Sequence, residues 1–264
     1  MRTRHDTLAA PEFINEKQAR KQAERQAMRD AMSGDVSGGE IEWSSGLTIP
    51  PAVSRAVSPA DSRAIPPAML ASPRIQLRQW QDADRDLFAA MTSDYEVMQH
   101  FPSLLTREQS EAWVDRAVSK IAARGWGFWA MDYLAQGASC PQFAGFTGLN
   151  IPDPELPVGP CVEVGWRLAP AFWGLGLAGE AARLSLRVGF EALGLDEIVA
   201  VTTLRNGRSR KVMQRLDMQE SPADEFDHPA YPPGNPERRC CLYRLPRECW
   251  LHADSLPPQS THNA

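Results

Sequence analysis

The chain of 264 residues has no uninterrupted apolar run near the roughly eighteen residues that a membrane-crossing helix requires, so no membrane partner is expected. It has no basic excess either. With 28 Lys+Arg against 33 Asp+Glu the net charge is −5, which gives no electrostatic reason for general binding to nucleic-acid phosphate. Cysteine is scarce: Cys140, Cys161, Cys240, Cys241 and Cys249 are odd in number, form no CxxC pair and have no His-rich neighbour. A disulfide framework and a zinc site are disfavoured on that pattern, and no metal is expected. Arg2 and Arg4 stand near the start, but no apolar core of a signal peptide follows, and the acidic residues there disagree with a transit peptide. A cytoplasmic location with reduced thiols is the resulting expectation.

Proline, in contrast, is plentiful at 22 residues, and it is unevenly spread. Asn15 to Met32 is helix-forming and charged (Lys17, Arg20, Lys21, Glu24, Arg25, Arg29) but carries no apolar stripe with which to dock. Ser33 to Pro73 is broken by Gly34, Gly38, Gly39 and Gly46, then by Pro50, Pro51, Pro59, Pro66, Pro67 and Pro73, a punctuation that opposes regular structure. Residues 1–73 therefore read as a disordered or partly helical extension and proline-rich linker, with a partner-binding arm as the alternative.

Strong patterning begins at Arg74. Arg74-Ile-Gln-Leu-Arg78 alternates as a half-buried strand does, and Asp82-Ala-Asp-Arg-Asp86 opens a helix carrying Leu87, Phe88 and Met91. Thr106-Arg-Glu-Gln109 has the capping-box spacing and starts a second helix, ended by Gly125. Three strands follow, Gly127 to Tyr133, Phe143 to Asn150 and Cys161 to Leu168, with hairpin-type connections. Next comes an amphipathic helix with Ala181, Leu184, Val188 and Ala192 on one face, capped at Gly194. Ile198 to Thr203 reads as a strand, Ser209 to Leu216 as a short helix and Arg239 to Leu245 as a last strand. The order implies an α+β domain over residues 74–250, followed by a disordered tail over 251–264.

The chemistry-bearing stretch is Val162-Glu-Val-Gly-Trp-Arg-Leu-Ala-Pro-Ala-Phe-Trp-Gly-Leu-Gly-Leu-Ala-Gly-Glu-Ala181. A strand stops at Leu168, a turn carries Gly174 and Gly176, and a helix starts at once. Glycines there let the main chain approach a ligand closely, and a helix start presents unpaired N–H groups and the positive dipole end, which together cradle an anion. Gly174, Gly176 and Gly179 also fit G-x-G-x-x-G, but the preceding strands read as antiparallel and no acidic ribose ligand follows a second parallel strand, so a dinucleotide site is the runner-up. A P-loop needs a Lys-Ser/Thr pair that this segment lacks.

Gly165-Trp-Arg-Leu, then Phe172-Trp-Gly-Leu-Gly-Leu-Ala-Gly-Glu-Ala-Ala182, and then Asn206-Gly-Arg-Ser-Arg-Lys-Val-Met-Gln-Arg-Leu216 resemble the GNAT superfamily of acetyl-CoA-dependent N-acetyltransferases. They resemble in particular its RimJ/RimL-like branch, with the patterns W-G-x-G-x-A-x-E-A and N-x-x-S-x-x-V-M-x-x-L-G. The resemblance implies a mixed, mostly antiparallel sheet with helices on both faces and a splayed central strand pair. It implies acetyl-CoA as co-substrate, no metal, and a primary amine acceptor on a small molecule or a protein N-terminus; it also leaves room for a homodimer. Trp173, Gly174, Leu175, Gly176, Leu177 and Ala178 would hold the pyrophosphate on main-chain N–H groups. Trp166, Arg167 and Leu168 would pair with the pantetheine arm, and a donor of the same strand would polarise the acetyl carbonyl. Asn206 matches the residue whose amide meets the pantetheine, and Ser209 the hydroxyl near the sulfur that protonates the departing thiolate.

Direct attack needs a neutral amine, so a carboxylate or water chain must accept its proton; Glu163 is the candidate, or else a solvated or ion-paired strand residue. The chain departs from the family pattern in having Leu175 at a commonly basic position, Ala171 where Arg or Gln is usual, and Asp217 where a glycine usually follows the short helix. Arg167, Arg208 or Arg210 is expected to supply the missing cation. Asp227 and His228 read as a loop structure or as a base pair, Cys240 and Cys241 as packing, and at least one of Trp126, Phe128 and Trp129 as facing the acceptor groove, with plain burial as the alternative. A non-catalytic acyl-CoA-binding or interaction module on the same fold is the alternative function.

Overall fold

Ile75 and Leu77 are buried while Gln76 and Arg78 between and after them are partly exposed, the period-two pattern that makes Ile75–Arg78 a strand, β1. In the computed structural model, which describes residues 65–153 and 155–254, it is the first of eight strands. The others are β2 (Phe128–Tyr133), β3 (Gln142–Asn150), β4 (Glu163–Leu168), β5 (Glu197–Thr203), β6 (Gln219–Glu220), β7 (Phe226–Asp227) and β8 (Arg239–Pro246). They form one sheet in the order β1-β2-β3-β4-β5-β8-β6, with β7 also paired to β8. Every pairing is antiparallel except β4 with β5, which is parallel. This is the expected mixed, mostly antiparallel α+β sheet.

The helices are α1 (Asp82–Thr92), α2 (Tyr95–Met98), α3 (Arg107–Arg124), α4 (Leu177–Arg187), α5 (Gly207–Arg215) and α6 (Arg247–Asp254). Two hydrophobic clusters separate the faces of the sheet. On one, Phe88 and Met91 of α1 and Val114 and Ala117 of α3 pack on Ala130 and Phe146. On the other, Leu177, Ala181 and Leu184 of α4 and Met213 of α5 pack with Leu77, Leu149, Val164 and Leu168. Thr106 caps α3 through the expected reciprocal box with Gln109, and Gly125 ends it at φ 78°. Of the three apolar residues named on α1, Phe88 and Met91 are buried, while Leu87 is 53% exposed.

Arg78 fastens β1 to both neighbours. Its Nε and Nη2 donate to the two oxygens of Asp132 on β2 at 2.6 and 2.7 Å, and its Nη1 and Nη2 to those of Asp84 in the first turn of α1 at 2.7 and 2.9 Å. Both carboxylates are buried, and these charge-assisted forks stabilise the guanidinium, raising its pKa.

Several elements exceed the sequence reading. The amphipathic helix continues beyond α4 as one π turn, Val188–Ala192, in which Leu193 N–H donates to Val188 C=O at 3.0 Å. At the end of the proline-rich stretch, Pro67–Leu70 forms a 3-10 turn, and Ile65, Met69 and Leu70 pack on the core. Prolines at a turn start suit such a turn, because their fixed φ fits its first residues. The helix α6 runs four residues past the expected domain end, with Trp250 stacked on Phe190 at 5.6 Å. The expected charged helix over 15–32, the linker up to residue 64 and the tail from residue 255 lie outside the described residues.

Candidate active site

The parallel pair β4–β5 is joined at one register position only, Glu163 with Val199, where Val199 N–H donates to Val162 C=O at 3.0 Å. The rest of β4 diverges from β5. Ala169 N–H donates to Ala144 C=O at 2.9 Å, and antiparallel ladders alternate bonded and unbonded residues. Glu163, Gly165 and Arg167 therefore turn their main chain to β3, while Val164, Trp166 and Leu168 turn theirs to β5. Leu168 C=O is taken by Trp173 Nε1–H at 2.8 Å. What remains open to the gap is Trp166 N–H and C=O and Leu168 N–H, a short strand edge inside the sheet.

Just beyond this edge, Pro170–Phe172 makes a 3-10 turn and Gly174 and Gly176 both take φ 78°, a left-handed conformation that costs a side chain strain. Gly176 is the N-cap of α4, and no side chain caps that helix start. Its first N–H groups thus lack partners within the helix, and a Cβ built on Gly174 or Gly179 would meet nothing within 4 Å. The cradle is both open and lined with donors. Leu175 is 44% exposed and offers only its main chain, and Leu177 is buried in the core below. Arg74 braces the loop from outside, its Nη1 reaching Leu175 C=O at 3.2 Å and its Nε reaching Glu180 at 2.9 Å.

Of the three candidate cations, Arg208 stands at the cradle, its guanidinium 4.3 Å from the centre of the Trp173 ring. Arg210 is committed elsewhere, to Glu220 at 3.0 Å and to Leu204 C=O at 3.2 Å. Arg167 lies on the α1–α3 side of the sheet, 3.8 Å over the Phe101 ring and 5.5 Å from Phe146. Its main chain faces β3, so the open strand edge belongs to Trp166 and Leu168 rather than to Arg167. Burial pushes the Arg167 pKa down to about 10.

Across the gap, Asn206 is the N-cap of α5, its Oδ1 accepting from Ser209 N–H at 3.1 Å. The cap uses Oδ1 and leaves the amide NH2 for other partners. Ser209 is partly buried in the same first turn. Asp217 has φ 60° and is the one non-glycine residue at positive φ among the described residues, so the usual glycine position does demand a left-handed main chain.

Glu163 stands at the joined end of the strand pair. It accepts from Asn150 Nδ2 at 2.9 Å, and Lys120 Nζ donates to Asn150 Oδ1 at 3.1 Å. Burial raises its pKa, against the opposing pull of Asn150 and Lys120. Of the three aromatic candidates, Trp126 and Trp129 are buried, while Phe128 lies against Gly165, where an added Cβ would be 3.0 Å from its ring.

Asp227 pairs with Arg238 at 3.2 Å, and His228 Nδ1 accepts from Ala230 N–H at 3.2 Å, so the two share no bond and serve the loop. Burial pushes Cys240 up to about 12 and Cys241 up to about 11, which keeps both as packed thiols. Sequence reasoning missed a buried carboxylate, Glu237. It accepts from Thr203 Oγ1 at 2.6 Å, lies 2.8 Å from His100 Nδ1 and pairs with Arg205 at 3.1 Å. A lone Glu in a polar loop carries no periodic signal.

Residues 74–219 match the family described as acetyltransferase (GNAT) domain. The chain belongs to the GNAT acetyltransferases. It is 28% identical over 153 residues to an uncharacterized protein, YkkB, of Bacillus subtilis, covering 58% of this chain and 86% of that one. It is 41% identical over 91 residues to the FsC-acetyl coenzyme A-N(2)-transacetylase of Aspergillus fumigatus, covering 34% of this chain and 37% of that one. The fold is shared with the crystal structure of a GNAT-family acetyltransferase from Bacillus anthracis, with a TM-score of 0.55 at 22% identity over 68% of this chain and 98% of that one. As a GNAT enzyme the chain is an N-acetyltransferase, and the family uses acetyl-CoA. The residues present fit that co-substrate: open left-handed glycines, an uncapped helix start and an unpaired strand edge lie in sequence along one gap. Among the described residues no group of His, Cys, Asp and Glu is placed to hold a metal, and no helix is long and apolar enough to cross a membrane.

Proposed function

We propose that the chain is a RimJ/RimL-like enzyme that acetylates a primary amine, on a small molecule or a protein N-terminus, by direct attack on the thioester. The observation that carries this reading is the β4–β5 gap, which opens beside the glycine cradle and is faced by the first turn of α5. Acetyl-CoA supplies the activated acetyl group. The N–H groups from Gly174 to Ala178 would receive the pyrophosphate, with Arg208 adding the cation that Leu175 does not. Trp166 and Leu168 would pair with the pantetheine, and a main-chain N–H of this edge would stabilise the charge developing on the thioester oxygen.

The amine nitrogen forms a bond to the acetyl carbon as the carbon–sulfur bond breaks. Its proton passes to Glu163, directly or through water, and Ser209 Oγ supplies one to the departing sulfur. Burial raises the Glu163 pKa, which moves it toward the operating pH. Thiol release from acetyl-CoA across a panel of amines and N-terminal peptides tests this reading. Release that depends on the amine supports it. Binding of acetyl-CoA without release for any acceptor would favour an acyl-CoA-binding module.

A further inference from the structure

The Arg167 guanidinium is a buried cation with unsatisfied donors. Its Nε and Nη1 are both buried with no hydrogen-bond partner, although a buried cation ordinarily has its donors satisfied. Neighbouring groups do not answer it. Glu237, the buried carboxylate of the adjoining loop, is occupied by Thr203, His100 and Arg205. The Tyr231 hydroxyl donates to His100 C=O at 2.8 Å, and burial raises its pKa, so it stays neutral. Arg167 shares the face of β4 that bears Gly165 and Glu163, two residues apart in each step, and so lies along the side of the gap away from α4.

Resting on the acetyltransferase reading, we propose that Arg167 is the acceptor-specificity residue and that the acceptor is an amine bearing a carboxylate, of the amino-acid type. With the guanidinium over the Phe101 ring, each of its forked edges joins Nη2 to one of the two orphaned nitrogens, and a planar carboxylate fits such an edge with two parallel hydrogen bonds. Alternate residues of an extended strand are about 7 Å apart, so a carboxylate on Arg167 would leave an amine a few bonds away level with the open edge at Trp166, where the thioester is proposed to lie.

The test uses product-like ligands, so that it does not depend on turnover. N-acetyl amino acids and the matching carboxamides are titrated into the full chain, with and without CoA, and CoA affinity is measured separately. The carboxylates are expected to bind about ten- to a hundredfold more tightly than the amides. Arg167→Gln should erase that preference while leaving CoA affinity and thermal unfolding close to those of the parent, and Arg167→Lys should restore part of it. Equal binding of acid and amide, or a preference that survives Arg167→Gln, overturns the proposal. Failure of CoA to bind counts against the acetyl-CoA site alone, since the acid–amide comparison is also made without CoA. If Arg167→Gln does not fold, the acid–amide ratio of the parent and of Arg167→Lys decides.

Discussion

Asn206 does two jobs at once, and substitutions can separate them. Its Oδ1 caps α5, while its NH2 group is the donor proposed for the pantetheine. Asn206→Ala should lose the cap, at about 1 kcal/mol, together with acetyl-CoA affinity. Asn206→Asp keeps a capping oxygen and removes the donor, so steady-state kinetics should show a raised KM for acetyl-CoA with little change in unfolding midpoint. Asp217 carries a different burden. At φ 60° it occupies a conformation that costs roughly 1 kcal/mol for a residue with a side chain, and Asp217→Gly should stabilise the fold by about that amount in urea titrations. The family pattern marked this position as an unusual departure, and the main chain explains why glycine is usual there.

At the level of elements, legibility followed the strength of local chemistry. The capping box at Thr106, the left-handed stop at Gly125 and the alternation of β1 are set by adjacent residues, and each was readable. The π turn after α4, the two-residue strands β6 and β7 and the helix α6 depend on what they pack against, and no periodicity announces them. In the site, the glycine cradle was legible because it is one continuous segment. The orphaned Arg167 and the Glu237 cluster were not, since the groups that surround them come from separate loops.

Glu163 on β4 ties its element to stability. Burial makes the folded chain hold its proton more tightly than the unfolded chain, where the ordinary value is 4.5. That favours folding below 4.5, and the benefit is lost as pH rises through the folded value. Glu163→Gln keeps an acceptor for Asn150 and carries no such loss. Urea midpoints should therefore show the variant gaining on the parent as pH rises from 4.5 through the raised folded value. A constant difference across that range would show that burial does not govern this carboxyl.

At the scale of the molecule, the β4–β5 gap is a break in an otherwise continuous sheet, with one hydrophobic cluster on each face of that sheet. Helices α1 and α3 brace one face and α4 and α5 the other, and on the proposed reading the co-substrate would meet the acceptor through the sheet. The proposed domain from residue 74 to residue 250 contains every part of this arrangement. Amide hydrogen exchange with and without acetyl-CoA tests that claim most directly. Binding should slow exchange at Trp166, Leu168 and Gly174 to Ala178 while leaving β8 unchanged, and acetyl-CoA bound without protection at those amides would contradict it.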